Sequence, residues 1–533
     1  MKPGNAWPYW WVALATAWAF DLLFWDKLPG VSVPLWALLI LGGIAYLSVR
    51  EKIRPARAGF ALAGLTLLLS VVSFWRAEPF TRFMNIAMAL SSLLLLAATF
   101  RSGYWPFYRL TDYLLAGLRL LGGMLGRPVI LLNSLFSNKD GEDAGTPLKT
   151  VWQQALPVLR GLLLALPVVI VLALLLSSAD QIFEAWLSDL LSFLDLERIP
   201  EYLFRGFYVI IILTTLISGA YLHALLPHVE ENHPDERQDW LKPFLGWVES
   251  VIVLLSVNLL FAAFVAIQFR YLFGGQANIN AAGYTYSEYA RRGFGELVAV
   301  AIISLLLYTA LGAITQQNNR RQRVIFSFLA GTLMTLVLVM LGSAYLRLSL
   351  YEQAYGFTRL RAYTHVFIIW LGVLLAALVV IEALSRRERL ALVLLITTFG
   401  FTLSLAGLNV DGFIAAQNIE RARAGEALDA AYLSSLSSDA VPAMLDGYRS
   451  GGLQQEDEEA LGRELTCRIV ETFPQDKWAW PSFHLGEFQS GALLLRSQDM
   501  LDDYLIIKTP VGYDVSLSGG EAEPCRPTFW DDF

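Results

Sequence analysis

The residues of this sequence best suited to chemistry are arginines and tyrosines in two connections of its second half. Arginine forks bind carboxylates and phosphates through paired hydrogen bonds. Charges near hydrocarbon need partners, so we weigh two hypotheses: a lattice of structural ion pairs, and a pocket for an anionic lipid headgroup or carrier-lipid phosphate. The candidate patch comprises Arg270, Tyr286, Glu288, Arg291, Arg292, Glu296, Arg347, Tyr351, Glu352, Tyr355, Arg359, Arg361 and Asp411.

Helix signals position the first half of this patch. Thr285 and Glu288 have the spacing of a capping box, which predicts a helix start. From that start Glu288, Arg292 and Glu296 share one helix face of alternating charge. The first connection therefore presents its charges in a regular row.

The second connection repeats the arrangement. Arg347, Tyr351 and Tyr355 share one face at the end of an apolar run. Gly356 is placed to end that helix, and Thr358 to cap the next one. Two further arginines then enter the following apolar run.

Other chemical motifs are absent from the sequence, which contains no Walker loop, Cys-x-x-Cys, His-Glu-x-x-His or Gly-x-Ser-x-Gly string. His223, His228 and His233 share a loop with carboxylates, but their spacing fits neither one helix face nor a compact site. We predict a solvated loop there, and neither a metal nor a cofactor. Ionisable groups inside apolar runs are costly and so are functional candidates; they are Asp21, Glu249, Glu296, His365 and Glu382.

Long apolar runs dominate the rest of the chain. It is 56% hydrophobic and 16% charged, whereas soluble domains carry about 25% charged residues. The runs are long enough to cross roughly 30 Å of hydrocarbon as helices, which satisfy their own backbone groups. We predict eleven spans: Trp7–Phe24, Val31–Val49, Gly59–Trp75, Phe83–Phe100, Leu162–Ser178, Phe207–Leu226, Phe244–Ile267, Phe294–Ile314, Val324–Leu346, Tyr363–Leu384 and Leu390–Leu408.

The distribution of Lys and Arg predicts the orientation. Even-numbered spans end at short basic connections, such as the one that holds Arg320, Arg321 and Arg323. The positive-inside rule makes these connections cytoplasmic. The N-terminus is then inside, and the residues after Leu408 are outside.

The tail, residues 409–533, differs in composition. It has 22 acidic residues against 9 basic ones. We predict helices over Phe413–Arg423, Ala427–Leu436 and Ala440–Tyr448, the last with Asp439 as N-cap, and an irregular end over Ser516–Phe533. Both cysteines lie here; Cys467 and Cys525 are either a disulfide, as an oxidising compartment would allow, or two separate thiols.

One connection, Arg101–Lys149, is too long for a simple loop. Leu114, Leu118, Leu121 and Leu125 recur at helical spacing. This pattern is typical of a helix in the membrane interface, and a helix packed on the cytoplasmic ends of the spans fits equally well.

Several strings of the sequence resemble a bacterial membrane family, the four-one-seven-three domain of unknown function, which is related to the four-one-five-three domain. They are Ser177–Phe183, Gln268–Gly275, Gly283–Phe294, Leu350–Arg361, Asn409–Asn418 and Leu428–Pro442. The resemblance covers about Leu162 to Leu445 and implies a protein of the bacterial cytoplasmic membrane. It implies no activity, substrate or catalytic residue.

The sequence thus predicts an all-α, polytopic transmembrane bundle in four regions: 1–100 with four spans, 101–158 at the cytoplasmic interface, 159–408 with seven spans, and an acidic, mainly helical outer domain at 409–533. The leading hypothesis is a non-enzymatic envelope protein that binds, senses or scaffolds at its outer face. Its partners would be the bilayer, an anionic lipid or carrier-lipid headgroup, and envelope proteins, with no nucleic acid. A solute transporter and a carrier-lipid transferase are the alternatives.

Overall fold

The computed structural model describes residues 7–136, 199–226, 243–272, 294–472, 479–509, 512–517 and 522–525. Within these residues the chain is almost entirely α-helical, which confirms the predicted all-α class. It forms two compact units, one of Met1–Leu22 with Leu121–Leu226, the other of Leu23–Leu120 with Pro227–Phe533.

The described α-helices, in chain order, are α1 (Trp7–Phe24), α2 (Ser32–Arg50), α3 (Arg57–Trp75), α4 (Pro79–Thr99), α5 (Leu110–Phe136), α6 (Ile199–Phe207), α7 (Thr214–Leu225), α8 (Trp247–Leu272), α9 (Phe294–Ile314), α10 (Arg320–Tyr355), α11 (Arg359–Ala383), α12 (Leu390–Leu408), α13 (Val410–Arg423), α14 (Ala430–Ser434), α15 (Val441–Ser450), α16 (Gln455–Thr472) and α17 (Leu485–Arg496). A π-helical segment, Tyr208–Leu213, joins α6 to α7.

Nine helical stretches of the described residues are long and apolar enough to cross a membrane: Ser32–Arg50, Arg57–Trp75, Pro79–Thr99, Pro200–Leu225, Trp247–Gln268, Gly295–Ile314, Arg320–Tyr355, Arg359–Ala383 and Arg387–Leu408. They match nine of the eleven predicted spans. The first predicted span is helix α1 but stands outside these nine, and the fifth, Leu162–Ser178, lies outside the described residues. The chain is a polytopic helical protein.

Helix α10 is longer than a membrane requires. Its 36 residues extend about 54 Å at 1.5 Å per residue, against roughly 30 Å of hydrocarbon. The apolar run predicted only Val324–Leu346, because hydropathy marks the lipid-buried part and not the end of the helix. The extra turns carry Arg347, Tyr351 and Glu352.

The main apolar core lies among α8 to α11. Leu333, Met334 and Leu341 of α10 are almost fully buried against Leu375 and Leu378 of α11. Burying such side chains stabilises a fold by about 1.5–3 kcal/mol each in water. Within lipid, close packing itself holds helices together.

A second core joins the C-terminal domain to the ends of α11 and α12. Leu405 and Val366 belong to the long helices, whereas Ile414, Met444 and Leu465 belong to the tail, and all five share one buried cluster. The domain is therefore built directly on the long helices.

The C-terminal domain contains a small sheet that was not predicted from the sequence. Strands β1 (Tyr504–Thr509), β2 (Gly512–Leu517) and β3 (Glu523–Pro524) form an antiparallel sheet in that order. The end that we predicted as irregular therefore contains the last residues of β2 and all of β3. Cys467 of α16 and Cys525, just after β3, form a disulfide with their Cα atoms 5.5 Å apart.

The apolar face of α5 is uncovered in the described part of the protein. Leu114, Leu118, Leu121 and Leu125 are each at least 56% exposed. An interfacial helix would present such a face to lipid.

Candidate functional site

Arg359 holds a carboxylate of the C-terminal domain with both arms of its guanidinium. Its Nε donates to Asp411 Oδ1 at 2.8 Å and its Nη2 to Oδ2 at 2.6 Å. Asp411 is fully buried, and its Oδ2 also accepts the backbone N–H of Ser437 at 2.6 Å. A buried carboxylate with this many donors is satisfied, and the loss of its arginine would leave the charge uncompensated.

The local fold explains why Asp411 reaches Arg359. Asn409 separates α12 from α13 in the left-handed conformation, with φ of 52°, which asparagine tolerates better than most residues. Its side chain accepts the N–H of Gly412 at 3.4 Å. A Cβ at Gly412 would lie 2.4 Å from the Asn409 amide, so this tight bend requires glycine. The bend turns the first residues of α13 back toward the start of α11.

A second layer of polar residues extends this contact to α4. Tyr363, one turn after Arg359, donates its hydroxyl to Glu78, which is the N-cap of α4 and accepts the N–H groups of Phe80 and Thr81. Asp439 Oδ2 accepts the N–H groups of Ala77 at 2.9 Å and Glu78 at 3.1 Å. We call Glu78, Arg359, Tyr363, Asp411, Tyr432 and Asp439 the junction cluster; in it Tyr432 accepts the Arg359 backbone N–H at 2.7 Å.

Four members of the junction cluster were missed by sequence reasoning. Glu78 could have been found, because Glu-Pro before an apolar run is a helix-start signal. Asp439 was expected to cap the helix that follows it, but Ala440 is the N-cap of α15 and Asp439 serves α4 instead. Tyr363 and Tyr432 carry no local signal, because their partners are distant in sequence.

Burial shifts the titration of groups around the junction. It raises the pKa of Asp439 to about 6, an effect that hydrogen bonds from backbone N–H groups and nearby Arg76 oppose. It also raises the pKa of Glu487, in α17, to about 7 despite the nearby Arg82. His484 is buried as a neutral ring, with its Nδ1 accepting the Glu487 N–H and its Nε2 facing the Ser73 carbonyl, and its pKa falls to about 4.

Arg361 is held by uncharged groups. Its guanidinium lies 4.3 Å from the ring centroid of Tyr351 and donates to the carbonyls of Tyr355, at 3.1 Å, and Gly356. Gly356 ends α10 with φ of 79°, as predicted. Thr358 is the N-cap residue of α11, but its side chain makes no capping bond. Among the described residues no carboxylate forms a salt bridge with Arg361.

Glu352 of the predicted patch pairs with His365, which was predicted only as an ionisable residue within an apolar run. His365 Nδ1 lies 3.0 Å from Glu352 Oε2, and the ring of Tyr345 packs edge-on against His365. Glu352 is 2% exposed, and Arg347 on the same helix is also buried. These residues therefore belong to the protein interior.

The described part of the chain includes only some of the remaining residues of the predicted patch. Tyr286, Glu288, Arg291, Arg292 and the side chain of Arg270 lie outside the described residues. Glu296 is exposed in the first turn of α9. The described site therefore consists of the ends of α10 and α11 with the start of α13.

The other predicted candidates are paired or exposed. Asp21 accepts Arg205 Nε at 3.1 Å and Nη2 at 2.5 Å. Glu382 binds Arg387, and Glu249 is exposed at the start of α8. The prediction of a solvated loop is wrong for His223, which is buried in the last turn of α7; His228 and His233 lie outside the described residues. No metal-binding group of ligands occurs within the described residues.

The family model described as Domain of unknown function (DUF4153) matches residues 63–447. No curated protein and no solved structure matches the chain. The matched family is the relative of the one whose strings the sequence resembles. Because the match covers more than half of its length, the chain belongs to the DUF4153 family.

Proposed function

We propose that this chain is a non-enzymatic protein of the bacterial inner membrane that binds an anionic component of the envelope at its outer face. The binding group is the surface formed by Arg361, Tyr351 and Tyr355, which we call the arginine–tyrosine patch. The junction cluster then couples this surface to the C-terminal domain. The protein senses or scaffolds; the bound group is a lipid or carrier-lipid headgroup.

The observation that carries this proposal is that the guanidinium of Arg361 is surrounded by uncharged groups. The guanidinium contacts the ring face of Tyr351 and donates hydrogen bonds to two carbonyl oxygens. These neutral contacts orient a cation without neutralising it. Arg359, two residues earlier, is fully matched by Asp411. Arg361 therefore supplies the fixed positive charge that a phosphate or carboxylate needs.

Two observations support the orientation. The connections at the other ends of the spans carry exposed arginines such as Arg320, Arg321 and Arg386, and the positive-inside rule assigns basic connections to the cytoplasm. The Cys467–Cys525 disulfide lies in the C-terminal domain, and disulfides persist in oxidising compartments outside the cytoplasm. Both observations support the proposed position of the patch on the outer side.

The two alternatives gain less support. A transporter would use a mid-membrane cavity lined by residues such as Asn258 and His365, but Asn258 donates to the Leu329 carbonyl and His365 pairs with Glu352. A transferase would need a carboxylate in an open cleft, and Asp411 is fully buried.

Native mass spectrometry of the purified protein tests the proposal. We expect wild-type protein to retain an anionic lipid or carrier lipid, and Arg361→Ala to lose it while Arg361→Lys keeps part of it. Arg463→Ala is the control, because Arg463 is paired with Glu523 within the C-terminal domain and is not part of the patch. If Arg361→Ala retains the same lipids as wild type at equal abundance, the patch does not bind them and the proposal fails.

A further inference from the structure

We infer that a second lipid site, independent of the proposed outer patch, lies at the opposite ends of the spans. There a cavity between α9 and α12 would bind one anionic phospholipid of the leaflet next to the basic connections. The cavity has a volume of about 460 Å³, which is within the range of small-molecule sites.

The walls of this cavity suit an acyl chain. The end of α9 contributes Thr309, Gly312 and Ala313, and the start of α12 contributes Leu390 and Ala391. These side chains are small or apolar, so they leave a groove between two candidate spans. A Cβ added at Gly312 would meet no atom within 4 Å, which shows that the groove is open there.

The mouth of the cavity carries Arg109, Arg387 and Glu388. Arg387 is held firmly: its Nε and Nη2 donate to Glu382 at 2.8 and 3.0 Å, and its Nη1 donates to Gln317 at 3.1 Å. Its side chain is still 30% exposed. An oriented arginine loses less entropy when it binds a phosphate than a mobile one does.

Tyr308 and Phe326 complete the support of Arg387. Tyr308 lines the cavity and donates its hydroxyl to Glu382 Oε1 at 2.5 Å. The ring of Phe326 lies under the Arg387 guanidinium, with its centroid at 4.6 Å. Glu382 is almost fully buried, so it matches the charge of Arg387 from within the protein and holds the guanidinium in a fixed orientation beside the cavity.

The charge around the mouth favours an anion. Among the residues that the structure describes there, Arg109, Arg386, Arg387 and Arg389 stand against the carboxylates of Asp112, Glu382 and Glu388, and Arg389 lies over the ring of Phe107. Basic pockets between membrane helices on the cytoplasmic side bind anionic headgroups. The apolar groove selects a lipid over a free phosphate.

Native mass spectrometry after mild delipidation and titration with phosphatidylglycerol tests this site. We expect Gly312→Leu, which fills the groove, and Arg109→Gln, which removes charge at the mouth, each to weaken binding about tenfold. The matched controls are Gly342→Leu, where a Cβ also meets no atom within 4 Å, and Arg119→Gln, an exposed arginine further along α5. Both controls should bind as wild type does.

Three results would overturn the inference. The first is unchanged phosphatidylglycerol binding in both cavity variants, judged on protein that remains monodisperse. The second is equal binding of zwitterionic phosphatidylethanolamine, which would remove the role of charge. The third is displacement of the lipid by inorganic phosphate at equal concentration, which would make this a site for free anions. Arg361→Ala should leave phosphatidylglycerol binding at this cavity intact. A result against the proposed outer patch would therefore be distinguished from a result against the cavity.

Discussion

The Arg359 guanidinium and the Asp411 carboxylate match in charge and in geometry. Both residues stood in the predicted patch, because an arginine at the start of an apolar run and an aspartate just after another run are visible in the sequence. Their partners were not visible. Tyr363 donates to Glu78 across 285 residues of sequence, and only the fold brings the start of α4 next to the start of α11.

Removal of one partner of the Arg359–Asp411 pair should strongly lower the stability of the protein. We expect Arg359→Ala to lower the free energy of unfolding by about 3–5 kcal/mol, because it leaves Asp411 buried without its arginine. The double variant Arg359→Met with Asp411→Leu should recover most of that loss, since it removes both charges together. Thermal unfolding in detergent measures both changes.

The exposed pair Arg463–Glu523 provides the control for these stability measurements. Its glutamate side chain is 62% exposed, so Arg463→Ala should change stability by less than about 1 kcal/mol. If Arg359→Ala behaves like this control, the pair is not a tight internal contact.

At the scale of helices, α11 and α12 approach closely at Gly400. A Cβ there would lie 2.1 Å from the ring of Trp370, which also donates its indole N–H to Ser404 at 2.9 Å. Small residues permit such approaches between membrane helices. The sequence predicted both helices within a few residues, but it could not show which glycine faces the tryptophan.

Gly400→Val should therefore disturb the contact between α11 and α12. The extra volume forces Trp370 out of its position, at a cost of about 1–3 kcal/mol, and tryptophan fluorescence should shift. Gly407→Val in the same helix is the control, because a Cβ at Gly407 meets no atom within 4 Å. Equal unfolding temperatures for the two variants would argue against this packing.

The packing of α17 against the ends of α3 and α4 should make stability depend on pH. Glu487 and Asp439 have raised pKa values, near 7 and 6, so they stabilise the fold fully below their unfolded pKa values and lose this contribution as pH rises through 6 to 7. His484, with its pKa lowered to about 4, acts in the opposite sense, since its contribution is lost as pH falls from 6.5 toward 4. The two carboxyls together outweigh the single imidazole.

Glu487→Gln should reduce this pH dependence. At pH 8 we expect the variant to be more stable than wild type by about 2 kcal/mol, because one pKa unit corresponds to about 1.4 kcal/mol and partial exposure screens the effect. At pH 4.5 the variant and the wild type should have the same unfolding temperature. Glu420→Gln, at a 73% exposed side chain, should follow wild type throughout; a Glu487→Gln curve identical to wild type would contradict the buried setting of Glu487.

At the scale of the whole molecule, hydropathy predicted the helical architecture but not every element. Nine spans agree in number and order with the described helices, because a run of about 20 apolar residues has few alternatives in lipid. The β1–β2 hairpin was missed, since the sequence Thr-Pro-Val-Gly between the two strands is a weak signal beside the surrounding glycines and prolines. Side-chain pairing between distant segments needs the fold itself.

Cysteine labelling tests the orientation of the whole chain. Lys508 is exposed on β1, and Arg321 is exposed at the start of α10. In intact cells a membrane-impermeant maleimide should label Lys508→Cys, whereas Arg321→Cys should react only after permeabilisation. The reverse pattern would invert the topology and place the patch in the cytoplasm. The native cysteines are joined in a disulfide and give no background.

The bend at Asn409 has a mechanical consequence. The last span ends at Leu408 and α13 begins at Val410, so a single residue connects the span to the folded domain beyond it. Such a joint has no slack, and a tilt of the span must swing the first helix of the domain with it. A loose tether would let the two parts move independently, whereas a one-residue joint requires the domain to follow the span when the span tilts.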